Sequence, residues 1–192
     1  MKRIAIFASG NGSNFEALVS AYQRGELHAE PVVCICDKPG AGVIERAERL
    51  GIPIEVVSPK EFENKEEYEK GILKILKEKD VDLICLAGYM RIIGKTLLEA
   101  YPWKIINIHP SLLPAFKGAH AIRDAFEYGV KVFGVTIHYV DETLDGGKII
   151  SQAAIPYKGD SIEEIETLIH KTEHRLYVET VNEIIKKLRI KN

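Results

Sequence analysis

Over the first two-thirds of the chain, short apolar runs rich in β-branched residues alternate with charged segments whose apolar positions recur at helical spacing. The runs at 3–8, 31–36, 52–57, 81–86 and 104–108 are nearly continuous in apolar residues and predict five strands buried on both faces. The segments 14–24, 42–50, 61–79 and 95–100 between them predict helices. The pattern then changes. Two further runs, 131–140 and 148–155, are joined by 141–147, which is too short for a helical crossover and predicts an antiparallel hairpin. A last helix is predicted over 161–188, with Asp160 or Ser161 as its cap and Glu163 and Glu164 in its first turn. The expected architecture is a single α/β domain over 1–192. Its sheet is doubly wound (Rossmann-like), mixed and mostly parallel, with a C-terminal antiparallel hairpin and helices on both faces.

In a sheet of this kind ligands bind outside the carboxyl ends of the parallel strands. The loops 9–14, 88–93 and 109–120 all leave such ends and are expected to face one crevice. The strand at 104–108 runs into Asn107-Ile108-His109-Pro110-Ser111-Leu112-Leu113-Pro114. Side chains two apart on a strand share a face, so Asn107 and His109 can converge on one reacting atom. Pro110 and Pro114 then end the strand and stiffen the loop. Further on, Leu144-Asp145-Gly146-Gly147 sets a carboxylate on the hairpin turn, where Asp145 could fold back to orient or charge the imidazole. An amide donor, a titratable ring and a carboxylate are the parts needed to handle the tetrahedral oxyanion of acyl transfer. A lone buried histidine is more often structural, and Leu-Asp-Gly-Gly also makes ordinary turns. It is Asn107 on the same face together with Asp145 that favours function.

Ser9-Gly10-Asn11-Gly12-Ser13-Asn14 links the first strand to the first helix, and the N–H groups at such a helix start attract a phosphate. The plainer reading is a turn capped by Ser or Asn. A dinucleotide fingerprint fails at its third glycine, where Phe15 stands, although Asp37 ends the second strand near where a ribose-binding acid belongs. One phosphate group is the better expectation. Gly88 to Thr96 looks like a P-loop but has five residues between its glycines where that motif has four. Bulky Tyr89, Met90, Ile92 and Ile93 with one Arg91 suit a flat aromatic ligand bearing a carboxylate, or else pack into the core.

Composition narrows the partners. With 26 basic and 28 acidic residues the net charge is −2, so no global field favours nucleic acid or a membrane, and an anionic substrate needs a local site. The N-terminal apolar run, 4–8, is too short for a signal-peptide core or a span. Three cysteines, Cys34, Cys36 and Cys85, lie inside apolar runs; their odd number suits a reducing cytoplasm. Cys34-Ile35-Cys36 lacks the spacer of common zinc or redox pairs, and His109, His120 and His138 show no ligand spacing, so no metal is expected. The Lys- and Glu-rich stretch 61–79 reads as a solvated helix face.

Taken together, these motifs resemble the phosphoribosylglycinamide formyltransferases, the folate-dependent formyltransferases of purine synthesis, over almost the whole chain. The marks are Ser9 to Asn14, Ala87-Gly88-Tyr89-Met90-Arg91-Ile92, Asn107 to Pro114, Leu144 to Gly147, and Glu173-His174. The resemblance implies formyl transfer from 10-formyltetrahydrofolate, as co-substrate, to the amine of glycinamide ribonucleotide. It implies Asn107, His109 and Asp145 as a catalytic trio, in which the charge of Asp145 is expected to favour the charged ring. Gly12, Ser13 and Asn14 would hold the ribonucleotide phosphate and Glu173 its ribose. Met90, Arg91, Ile92 and Ile93, with Asn107 and the turn Asp141, Glu142, Thr143, Leu144 and Asp145, would flank the folate, and Lys65 would be a basic residue near it. Ile122 and His170 depart from the family pattern. The expected protein is a monomer or homodimer with small-molecule substrates. A formyltetrahydrofolate deformylase and a methionyl-tRNA formyltransferase are the neighbouring possibilities, each expected to bring a further domain. A non-catalytic nucleotide-binding module is the alternative from another class.

Overall fold

Strand β1 (Lys2–Ala8) lies inside the sheet, paired in parallel with β2 (Ala29–Cys36) on one side and β4 (Leu83–Leu86) on the other. The computed structural model describes residues 1–190. Beyond β2 lies β3 (Ile54–Val56), also parallel; beyond β4 come β5 (Ile105–His109), parallel, then β6 (Val132–Tyr139) and β7 (Ile149–Pro156), both antiparallel. The order β3-β2-β1-β4-β5-β6-β7 reverses direction between β1 and β4, which opens the crevice there.

Strand alternation sorts the core into two layers. Ile4, Ile6 and Ala8 face one way, together with buried residues of α1 (Ser13–Gln23), α2 (Gly42–Leu50), α5 (Ala121–Tyr128) and α6 (Ile162–Ile190). Ala5 and Phe7 face the other way, with Ile72 and Leu76 of α3 (Lys65–Glu78) and Leu97 of α4 (Lys95–Ala100). Fully burying a side chain such as Phe7 or Leu83 is worth roughly 1.5–3 kcal/mol, so the inner strands anchor the fold.

Three expectations shift. The helix expected from residue 61 starts at Lys65, because the Asn64 side chain accepts from the Glu67 N–H at 2.9 Å and caps it there; Pro59–Glu61 forms a separate single turn. The strand at 52–57 contracts to Ile54–Val56 on the sheet edge, where Pro53 contributes only its carbonyl, to Cys34 N. Helix α5 was not anticipated. Its eight residues bury only Ala121 and Ala125, a stripe too short to show a period, and Gly129 ends it in a left-handed conformation. Ser161, one of the two expected caps, does cap α6, its Oγ accepting from Glu164 N at 3.2 Å.

Candidate active site

Ser13 and Asn14 at the start of α1, the loop after β4, the end of β5 and the turn between β6 and β7 line one cleft of about 410 Å³. It lies at the switch point, as the strand order requires. The cleft brings together Ser13, Asn14, Met90, Arg91, Ile92, Ile93, Asn107, His109, Asp141, Thr143, Leu144, Asp145 and Glu173 of the expected site. Gly12 and Glu142 do not line it, and Lys65 lines an adjoining depression of about 620 Å³ that shares Tyr89 to Ile92 as a wall. His120 is exposed outside the cleft, at the start of α5.

Asn107 and His109 share the face opposite Ile106 and Ile108, which enter the core around α6. His109 is only 5% exposed. Its Nε2 lies 2.8 Å from the Phe116 carbonyl, which can only accept, so Nε2 carries a proton and donates it. Nδ1 faces Asp145 Oδ1 at 3.4 Å, longer than an ordinary hydrogen bond. Nδ1 is therefore the ring nitrogen left for chemistry, with a carboxylate beside it. The other oxygen of Asp145 accepts from the Gly118 N–H at 2.7 Å. Phe116 and Gly118 thus fix the histidine and the aspartate from one short segment.

Phe116 (φ 53°) and Asp145 (φ 48°) hold left-handed backbones, a small strain of the kind found at functional sites, and Gly118 (φ 98°) has a positive φ open to glycine at no cost. Asp141 shapes the turn ahead of Asp145. It accepts from the Thr143 hydroxyl and, at 2.8 Å, from Thr143 N; these bonds hold its carboxyl below the usual range.

The first turn of α1 has no side-chain cap. Gly12 precedes it with φ 81°, and a β-carbon there would stand 2.5 Å from Val43, so the position is closed to other residues. The N–H groups of Ser13 and Asn14 belong to the helix turn that has no intrahelical partners, and both residues line the cleft. Asn14 Nδ2 also donates to Glu173 Oε2 at 3.3 Å, while His170 Nδ1 meets Glu173 Oε1 at 2.7 Å. Glu173 is 4% exposed and ties α6 to α1 at the cleft floor.

The Glu173 bond raises the His170 pKa above its ordinary value. The stabilisation is therefore complete below the free histidine value of about 6.5 and is lost as pH rises through the higher folded value. With the His170 side chain 50% exposed, it is worth under about 1 kcal/mol. The melting-temperature gap between the wild type and His170→Ala is expected to be larger at pH 6 than at pH 9; a gap that widens with pH would contradict this assignment.

Two sequence ambiguities resolve. Phe15 is fully buried, filling the space between α1 and the sheet that a dinucleotide fingerprint needs empty. Asp37 is also buried and accepts from Arg91 Nε at 2.9 Å. It holds the loop after β4, and Arg91 lies 5.9 Å over the Tyr68 ring. What sequence reasoning missed are the backbone groups of Phe116 and Gly118, which no residue identity signals, and the partner of Asn107. Asn107 Nδ2 lies 3.1 Å from His138 Nε2. Among the described residues no group of three His, Cys, Asp or Glu side chains is arranged to hold a metal ion.

The cleft sets Asn107, His109 and Asp145 together beside the start of α1, and residues 2–181 match the formyl transferase family. The chain belongs to that family. It is 53% identical to the phosphoribosylglycinamide formyltransferase of Bacillus subtilis (strain 168), over 96% of this chain and 95% of that one. It is 39% identical to the human trifunctional purine biosynthetic protein adenosine-3, covering 91% of this chain but 17% of that protein. Among solved structures, phosphoribosylglycinamide formyltransferase from Bacillus halodurans superposes with a TM-score of 0.92 at 50% identity, covering 97% of each chain. Glycinamide ribonucleotide transformylase 1 from Geobacillus kaustophilus gives 0.92 at 52% identity, covering 96% and 98%.

Proposed function

We propose that this protein transfers the formyl group of 10-formyltetrahydrofolate to the amine of 5-phosphoribosylglycinamide, giving the formylglycinamide ribonucleotide of purine biosynthesis. The observation that carries the reading is His109 Nδ1, free for chemistry and 3.4 Å from Asp145, in one cleft with Asn107. The amine attacks the formyl carbon and negative charge grows on the formyl oxygen. Asn107 Nδ2 and a protonated His109 Nδ1 donate to that oxygen, and Asp145 supports the charged ring. The proton lost by the amine reaches the departing folate nitrogen through Nδ1 or an ordered water, so no covalent intermediate is required. The three cysteines are buried, and the burial of Cys34 and Cys85 holds both thiols well above the usual range, which leaves them unsuited as nucleophiles.

The ribonucleotide phosphate sits at the start of α1 on Ser13 and Asn14, with the Gly12 turn as support, and its ribose hydroxyls meet Glu173. The folate ring lies against Met90 to Ile93 and the turn from Asp141 to Asp145. Glu142, exposed on the far side of that turn, serves through its backbone alone, and Lys65 reaches the carboxylate end of the folate from the adjoining depression. The protein works as one domain in the cytoplasm, where free buried thiols are stable.

Purified protein given 10-formyltetrahydrofolate with and without the ribonucleotide tests the reading, followed by folate absorbance. Turnover is expected with the ribonucleotide present; formate release in its absence would assign the site to a deformylase. Loss of hydrogen bonds to a charged group is worth about 1.5–3 kcal/mol. Ser13→Ala with Asn14→Ala is accordingly expected to raise the ribonucleotide KM at least about tenfold, with the folate KM within about twofold. An equal rise in both would indicate a damaged fold.

A further inference from the structure

A carboxamide has one accepting and one donating end, and Asn107 itself does not decide which end faces the cleft. The decision falls to a neighbour. His138 stands opposite Asn107 in the β5–β6 pair and is 1% exposed. Its Nδ1 lies 2.8 Å from the Tyr139 carbonyl, which can only accept, so that nitrogen carries the proton. In the neutral ring Nε2 then offers a lone pair, and it lies 3.1 Å from Asn107 Nδ2. Only one orientation of the amide suits that pairing: one N–H goes to His138 and the second N–H has no other partner among the described residues. Turned over, the amide would set its oxygen against the Nε2 lone pair. That exchanges a hydrogen bond worth about 0.5–1.5 kcal/mol for the contact of two acceptors.

We propose that His138 is a positioning residue for formyl transfer: a neutral ring, its tautomer set by the Tyr139 carbonyl, holds the Asn107 amide with an N–H turned toward the formyl oxygen. The proposal rests on Asn107 acting as an oxyanion donor. The geometry makes His138 part of the preorganisation on which such a donor depends, since a donor that can turn over is lost to the transition state for part of the time. His138 borders the cleft but is 1% exposed and bonds the amide through Nε2, so it acts on the rate of the chemical step more than on substrate capture.

The test is the kcat and KM of formyl transfer, together with thermal unfolding, for wild type, Asn107→Ala, His138→Leu, His138→Gln, His138→Asn and the double variant Asn107→Ala/His138→Leu. Loss of His138 is expected to lower kcat about tenfold to a hundredfold, the range for a misplaced catalytic group, with both KM values within about twofold. In the Asn107→Ala background the same change is expected to cost less than about twofold, because the group it positions is gone. Glutamine, whose side-chain oxygen can accept where Nε2 does, is expected to restore most of kcat; asparagine, too short to reach, is not. This glutamine–asparagine contrast stands even if the leucine variant unfolds. Wild-type kcat in His138→Leu, losses that multiply in the double variant, or equal rates for glutamine and asparagine would overturn the proposal. Wild-type kcat in Asn107→Ala would overturn the oxyanion reading beneath it, an outcome distinct from any of these.

Discussion

His109→Ala is expected to lower the single-turnover rate of formyl transfer about a hundredfold to ten-thousandfold, the span for a positioned acid–base group. Binding of both substrates should change by less than about threefold. The size follows from how little else can replace the ring. His109 Nε2 is tied to the Phe116 carbonyl at 2.8 Å, so Nδ1 is the working atom, and Asp145 faces it at 3.4 Å. Removing the ring leaves Asp145 facing the space where negative charge develops, which adds repulsion to a lost donor. Asp145→Asn keeps the shape of the turn and removes the charge, and its loss should be the smaller of the two. Rapid-quench measurement of formylated product from enzyme-bound folate checks both. A His109→Ala rate within about threefold of wild type would remove the histidine from the chemistry.

Gly147→Ala is expected to damage stability and activity together. Gly147 has φ 105°, and an added β-carbon would stand 1.9 Å from the Tyr139 carbonyl oxygen and 2.8 Å from its carbon. Those are backbone atoms at the end of β6, so no side chain can swing aside. The hairpin must open instead. Strained backbone and a forced shift together cost about 2–4 kcal/mol. At about 2–4 °C per kcal/mol for a chain of this size, a loss of 3 kcal/mol lowers the melting temperature by about 6–12 °C. The same Tyr139 oxygen accepts from His138 Nδ1, and Asp145 lies two residues before Gly147, so kcat should fall by more than tenfold or so even where the variant is fully folded. Differential scanning calorimetry and the transfer assay at a temperature well below melting separate the two effects. An unchanged melting temperature would show that the turn yields at no cost.

Much of the fold was legible because β1, β2, β4 and β5 are buried on both faces and carry a nearly unbroken apolar signal, and α2 and α4 were placed with their observed bounds. The antiparallel hairpin followed from the length of a connection. Helix α5 stayed hidden because a short helix burying two alanines leaves no period to read. The pairing of Asn107 with His109 was legible from strand alternation alone, while Asp145 was a plausible third member only because a glycine turn could return it to the strand end. Lys65 was assigned by family likeness and lies in the adjoining depression and not in the cleft. Asp37 was read as a possible ribose acid, but it is buried and one of its carboxylate oxygens is held by Arg91.

The sequence by itself determined which polar side chains stand at the strand ends and the class of sheet that bears them, because local periodicity and residue type decide both. Tertiary structure alone decided which ring nitrogen of His109 is free and which ring stands against the Asn107 amide. It did so with backbone groups: the Phe116 carbonyl holds His109 Nε2, the Tyr139 carbonyl holds His138 Nδ1 and the Gly118 N–H holds Asp145. Every residue but proline carries such backbone groups, so their use is written only in where the folded chain places them.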